Sequence, residues 1–200
     1  MQRTVILDIE TTDLFVDAGE RLISVGIVEL VNDAPTGKTL HLIVNPQRDS
    51  HPAALAAHRM TPEFLSQFPP MGTAQAQAIR DFIGDAAIVI TCRTVERNGQ
   101  PYTLDEAFIT AELARQGVTP PPASQWVNVR RWAEALYGPD QARLDHILDR
   151  YGIDRSTRDA QGHGALLDAE LLASAYPRLK AEYAALKTPH TAPKLPVRKP

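Results

Sequence analysis

Arg3-Thr4-Val5-Ile6-Leu7-Asp8-Ile9-Glu10-Thr11-Thr12 begins as an apolar, β-branched run and carries two acids, Asp8 and Glu10, two residues apart toward its end. It has the composition of a buried strand, and strand side chains alternate between faces, so Asp8 and Glu10 are expected to point the same way. Two carboxylates converging at the end of a buried strand repel one another unless a proton or a cation lies between them. Hard divalent ions favour oxygen ligands, which makes Mg²⁺ or Mn²⁺ the natural resolution. Taken alone, the pair also reads as two solvated acids at a strand-to-loop transition.

A second stretch bears on that choice. From Ala165 onward Leu166, Leu167, Leu171, Leu172 and Ala175 recur at helical spacing, which puts Asp168 on the first turns of a helix and His163 just before it. Both can then flank one spot. A histidine titrates near neutrality, so beside a metal-bound carboxylate it suits a general base that takes a proton from water. A capping or surface role is the plain alternative for a single histidine at a helix start.

Several ordered stretches carry a resemblance to a known family. Asp8-Ile9-Glu10-Thr11-Thr12, Ala57-His58-Arg59-Met60-Thr61, Leu144-Asp145-His146-Ile147-Leu148 with Arg150-Tyr151-Gly152-Ile153, and His163-Gly164-Ala165-Leu166-Leu167-Asp168 resemble, in order, segments of the DEDD-type 3′–5′ exonucleases of the histidine variant. The likeness is greatest to the epsilon proofreading subunits of bacterial replicative DNA polymerase, and covers Val5 to Tyr176. It implies a ribonuclease H-like α/β fold and phosphodiester hydrolysis with two divalent metal ions. Asp8, Glu10 and Asp168 would hold the ions, Asp105 would complete the acidic set and His163 would activate water. Thr11, Leu14 and His58 align with positions that cradle the terminal nucleotide, Leu14 as an apolar wedge. Asp13 stands where a glycine is usual, and Asp tolerates left-handed geometry better than most residues.

The chain departs from the family at the third acid. Where a short turn usually follows the strand expected at Ala87 to Thr91, a longer insert runs from Thr91 to Leu104 before the helix pattern resumes. Asp105, followed by Phe108, Ile109, Glu112 and Leu113, reproduces the downstream spacing and is the candidate. It equally suits a helix N-terminus, and Glu96 and Glu106 are neighbouring acids. Asn98-Gly99 inside the insert signals a turn or hairpin. A second departure, Asn128-Val129-Arg130-Arg131-Trp132, brings two arginines that face either a phosphate or water. Asp145 and His146 look like an acid-base pair but fall in a helix and are read as structural. Trp126 and Trp132 are read as core.

Composition frames the domain. Two hundred residues with 44% hydrophobic content suffice for one core. Met1-Gln2-Arg3 leads directly into a strand, so no targeting segment is expected, and no apolar run is long enough to span a membrane. The single cysteine, Cys92, allows no internal disulfide, and cytoplasmic location is the default. Residues 1–182 are expected to form the exonuclease domain, and 183–200 a Pro/Lys-rich disordered tail. The net charge of −3 hides an acidic body, because Lys187, Lys194, Arg198 and Lys199 lie in a terminal segment without acids. Phosphate neutralisation supplies most nonspecific DNA affinity, so such a body should hold DNA weakly unless metal or a partner assists.

The expected order is strand, strand, strand, helices, strand, helix, strand, helices. Arg21 to Val31 is the second strand, and Asn32-Asp33-Ala34-Pro35 turns it toward a third at Thr39 to Val44. Thr73 to Gly84 and Leu104 to Gly117 are the clearest middle helices, and Pro120-Pro121-Pro122 precedes the fifth strand. The partner implied is a single-stranded DNA 3′ end, or short RNA if the chain is an exoribonuclease of the same superfamily, with a DNA polymerase subunit as a further partner. A catalytically silent module using the same fold is the reading from another class.

Overall fold

The computed structural model describes residues 1–187, so most of the expected tail lies outside the described residues. One five-stranded sheet organises the chain, its strands lying side by side in the order Ala34–Ile43, Leu22–Val31, Arg3–Thr11, Ala87–Ile90 and Trp126–Asn128. At its centre β1 (Arg3–Thr11) pairs antiparallel with β2 (Leu22–Val31), and β2 pairs antiparallel with β3 (Ala34–Ile43). On its other side β1 runs parallel to β4 (Ala87–Ile90), which runs parallel to β7 (Trp126–Asn128). Three antiparallel strands followed by two parallel ones make the mixed, helix-flanked sheet of the ribonuclease H-like α/β fold that the family resemblance implies.

The third strand starts earlier than the sequence suggests. Asn32 (φ 52) and Asp33 (φ 64) both take left-handed conformations, and Val31 pairs directly with Ala34. A two-residue hairpin of this kind matches the twist of its strands, so it replaces the expected four-residue turn. Pro35 is tolerated because β3 is an edge strand, where a missing N–H breaks no central ladder.

Alternation along β1 feeds two cores. Val5, Leu7 and Ile9 join Ile79 and Ile83 of α3 (Thr73–Ile83) and Phe108, Ile109 and Leu113 of α4 (Leu104–Arg115). Ile6 on the opposite face packs with Val129, Leu148 and Leu172, contributed by the segments around α5 (Arg130–Tyr137), α6 (Leu144–Tyr151) and α8 (Ala165–Lys187). Asp8 and Glu10 follow Ile6 on that second face, at the end of the strand.

Smaller elements complete the frame. Short helices α1 (Pro52–His58) and α2 (Pro62–Leu65) follow β3. The insert folds as a hairpin of β5 (Thr94–Arg97) and β6 (Gln100–Thr103), with Asn98 and Gly99 at positive φ in its turn. A short helix α7 (Ser156–Gln161) precedes the His163 loop. Its polar composition carries no apolar periodicity to mark it in the sequence. The domain boundary expected at 182 falls inside α8, which continues through Lys187 while Tyr183 stacks on Trp132 at 5.1 Å and 9°.

Candidate active site

Two glycines bring the separate motifs together. Gly26 lies opposite Asp8 in the β1–β2 ladder, and a Cβ there would overlap the backbone of Ala165 and Leu166. The start of α8 therefore crosses the sheet directly over Gly26, setting Asp168 beside the acids of β1. Gly162 (φ 88) turns the chain into His163, and a Cβ there would sit 2.9 Å from Ala57 O. The His163 N–H donates to that same carbonyl at 3.0 Å, tying the loop to α1.

The result is one cleft of about 380 Å³ whose walls include Asp8, Glu10, Asp145, Arg158, His163 and Asp168. Glu10, His163 and Asp168 each bring a ligand atom within 4.8 Å of the others. Asp105, on the first turn of α4, is 3% exposed and lines an adjoining compartment that it shares with Asp8. Its Oδ2 is buried without a partner. Neither Glu96, exposed on β5, nor Glu106 lines the cleft or that compartment.

Crowding these acids has the electrostatic cost expected of it. Burial, then the charges of Asp105, Glu10 and Asp168, push the Asp8 carboxyl well above its ordinary range, with Arg158 opposing. Glu10 is pushed up to about 8 by burial and by Asp168. Burial raises Asp105 to about 6, and hydrogen bonding from the Cys92 thiol offsets part of that rise.

Arg158 is the internal counter-ion, and reading the sequence did not single it out. It is 7% exposed; its Nε donates to Asp168 Oδ1 at 2.6 Å and its Nη2 donates to His163 Nδ1 at 3.1 Å. A further nitrogen pairs with Asp145, so that carboxylate serves the cleft wall through Arg158. Burial, then the Arg158 charge, lowers the His163 pKa and keeps the imidazole neutral near pH 7. The Nδ1 lone pair is engaged here, so taking a proton from water requires the ring to exchange Arg158 for that water. Nothing in the local sequence separates Arg158 from Arg155, which is held at the surface by Asp149 and Asp159.

The three residues aligned with nucleotide-cradling positions lie apart. Leu14 is 55% exposed and lines the compartment beside Asp105. His58 is buried on the other side of the His163 loop, in a cavity of about 360 Å³ that His163 also lines. Its Nδ1 accepts the Met60 N–H at 3.0 Å, so the neutral ring carries its proton on Nε2, which has no partner. The Thr11 hydroxyl is spent within its own loop, donating to Asp13 O at 2.8 Å. Asp13 does not adopt left-handed geometry; its Oδ1 instead accepts the Leu14 N–H at 2.8 Å. Arg130 faces the cleft although its Nε is held by Glu134 at 3.0 Å, whereas Arg131 is exposed and absent from the cleft wall.

The donor set suits hard divalent cations. It offers several carboxylates, one with an orphaned buried oxygen, whose mutual repulsion a cation would relieve. Asp8, Glu10, Asp168 and Asp105 are the residues able to hold such ions, with His163 close enough to Glu10 and Asp168 to serve as a further ligand.

Comparison with known proteins agrees with this geometry. The family model described as Exonuclease matches residues 5–176. The DNA polymerase III subunit epsilon of Rickettsia felis is 33% identical over 180 residues, covering 88% of this chain and 73% of the relative. Among solved structures, Escherichia coli Exonuclease I in complex with a dT13 oligonucleotide aligns with a TM-score of 0.72 at 15% identity, over 93% of this chain and 42% of that one. The nuclease domain of 3′hExo, a DEDDh family member bound to rAMP, aligns with a TM-score of 0.67 at 16% identity, over 90% and 92%. The fold is thus the ribonuclease H-like one of these exonucleases, and the chain belongs to the exonuclease family, as a 3′–5′ exonuclease similar to the epsilon subunits.

Proposed function

We propose that the chain removes nucleotides from the 3′ end of single-stranded DNA in a metal-dependent reaction that releases nucleoside 5′-monophosphates. The observation that carries this reading is the convergence of Asp8, Glu10, Asp168 and His163 on one cleft with Asp105 at its edge. A phosphodiester already carries negative charge, and a floor of carboxylates would repel it without cations. Two divalent ions, Mg²⁺ or Mn²⁺, would screen that charge, orient the water and stabilise the leaving 3′ oxygen.

Each residue then has a role. Asp8, Glu10, Asp168 and Asp105 would hold the ions. Once its lone pair is free of Arg158, His163 takes the proton from the attacking water. Leu14 packs against the last base, Thr11 shapes the loop that carries Leu14, and His58 supports the His163 loop from the cavity behind it.

DNA is favoured by the likeness to epsilon subunits of a DNA polymerase. The acidic body fits an enzyme delivered to its strand by another protein, with a DNA polymerase subunit as the partner and the cytoplasm as the place of work. No helix among the described residues is long and apolar enough to cross a membrane. The test is digestion of matched DNA and RNA oligonucleotides with Mn²⁺, followed by chromatography of the products. Faster loss of DNA with nucleoside 5′-monophosphates as products is expected. Faster loss of RNA, or 3′-monophosphate products, would overturn the assignment.

A further inference from the structure

The hairpin inserted ahead of the third acid is fastened to the loop that carries Leu14. The Tyr102 hydroxyl on β6 donates to Leu14 O at 3.0 Å and accepts the Val16 N–H at 3.1 Å. Arg97 on β5 pairs with both Asp17 oxygens at 2.7 and 2.8 Å, and its guanidinium lies 3.8 Å from the Phe15 ring centroid. The Phe15 and Tyr102 rings meet with centroids 5.5 Å apart. A two-stranded hairpin is marginal on its own, so these bonds order the hairpin and the Leu14 loop together.

Between them they enclose a compartment of about 340 Å³, within the roughly 300–1,000 Å³ range of ligand pockets. Leu14, Phe15, Val95 and Tyr102 form apolar and aromatic walls, while Asp8 and Asp105 border it on the side of the cleft. Arg93, exposed and without an ion pair among the described residues, stands at its edge. Apolar walls with an aromatic ring, a guanidinium without an ion pair and the acids of the cleft alongside match one ligand chemistry, an unpaired nucleobase with its adjoining phosphate.

We propose that the β5–β6 hairpin is a specificity element: it clamps the Leu14–Asp17 segment and closes a compartment that admits a single unpaired base beside the acids, with Arg93 meeting the adjoining phosphate. Tyr102 is a positioning residue in this scheme, acting through Leu14. The inference rests on the exonuclease reading above.

The test is a double-variant cycle with steady-state kinetics on a 5′-labelled single-stranded oligonucleotide in Mn²⁺. Tyr102→Phe should raise KM roughly 3–10-fold with little change in kcat, the effect of losing one or two neutral hydrogen bonds. Leu14→Ala should raise KM as well. If Tyr102 acts through Leu14, the double variant is no worse than Leu14→Ala alone, whereas independent effects multiply. Arg97→Ala, which cuts the same clamp from outside the compartment, should repeat the Tyr102→Phe pattern. Unchanged Mn²⁺ affinity in each variant shows that Asp105 has not moved. Multiplying effects, or a loss confined to kcat, would overturn the clamp and leave the exonuclease reading intact. Absence of turnover by the wild-type protein would overturn both.

Discussion

Gly26→Ala isolates the step that assembles the site. The glycine carries no chemistry, yet a methyl group there would lie closer than 3.0 Å to the Leu166 N, Leu166 Cα and Ala165 C atoms, all of them backbone. Restoring an ordinary contact requires the start of α8 to retreat by about 1 Å, because repulsion rises steeply inside van der Waals distance. That movement carries His163 and Asp168 away from Asp8 and Glu10. Overpacking of this kind costs about 1–3 kcal/mol, which for a domain of this length lowers Tm by roughly 2–12 °C. A displacement near 1 Å in a reacting constellation costs on the order of 10²-fold in rate. The assay is kcat on a single-stranded oligonucleotide at saturating Mn²⁺, measured well below the variant's own Tm. A loss near a hundredfold in folded protein is expected. Wild-type kcat together with wild-type Tm would refute the argument that the Gly26 crossing places the catalytic helix.

Three further outcomes follow from the electrostatics. Asp105→Asn removes a buried charge whose carboxyl sits near 6, so it should stabilise the metal-free protein at pH 7 by about 1–3 kcal/mol while lowering the rate on the order of 10²-fold or more, read by thermal melting and kcat. Arg158→Ala strips the buried partner from Asp168 and should cost about 3 kcal/mol, a Tm loss of roughly 6–12 °C, most of it recovered when Mn²⁺ is added; a loss that Mn²⁺ does not recover would contradict the counter-ion role. Glu10 and Asp105 are both held above their unfolded values of 4.5 and 3.8, so between about pH 4 and pH 8 these two carboxyls hold more protons in the folded protein than in the unfolded chain, while the lowered His58 and His163 act in the opposite sense. The carboxyl contribution to metal-free stability should therefore fall as pH rises through that window, so Asp105→Asn should gain more Tm over wild type at pH 8 than at pH 5, and Mn²⁺ should raise the wild-type Tm more at pH 8 than at pH 5; an Asp105→Asn gain that shrinks from pH 5 to pH 8 would contradict it.

What could be read from the sequence was set by short-range patterns. The β1 run, the alternation in β2 and the 3.6-residue period after Ala165 are local, and they marked the first two strands, the last helix and the common face of Asp8 and Glu10, while the ribonuclease H-like arrangement of the sheet was implied by the family resemblance. Asn98-Gly99 announced the inserted hairpin because its φ requirement is local too. What escaped depends on contacts distant in the chain. Gly26 reads as an unremarked strand residue until α8 is laid across it. Arg158 looks like any surface arginine until Asp168, His163 and Asp145 close around it. Alignment grouped Thr11, Leu14 and His58, but the folded chain distributes them among a loop hydrogen bond, the hairpin compartment and the cavity behind His163.

The central claim is that the acids of this cleft drive metal-dependent shortening of a strand from its 3′ end. It is tested most directly by a gel time course on a 5′-labelled single-stranded DNA with Mg²⁺, Mn²⁺ or EDTA, beside an Asp8→Asn variant. The account predicts a ladder that descends one nucleotide at a time with either metal, absent in EDTA and in the variant. Immediate release of the labelled 5′ nucleotide, cleavage that persists in EDTA, or an unchanged ladder from Asp8→Asn would contradict it.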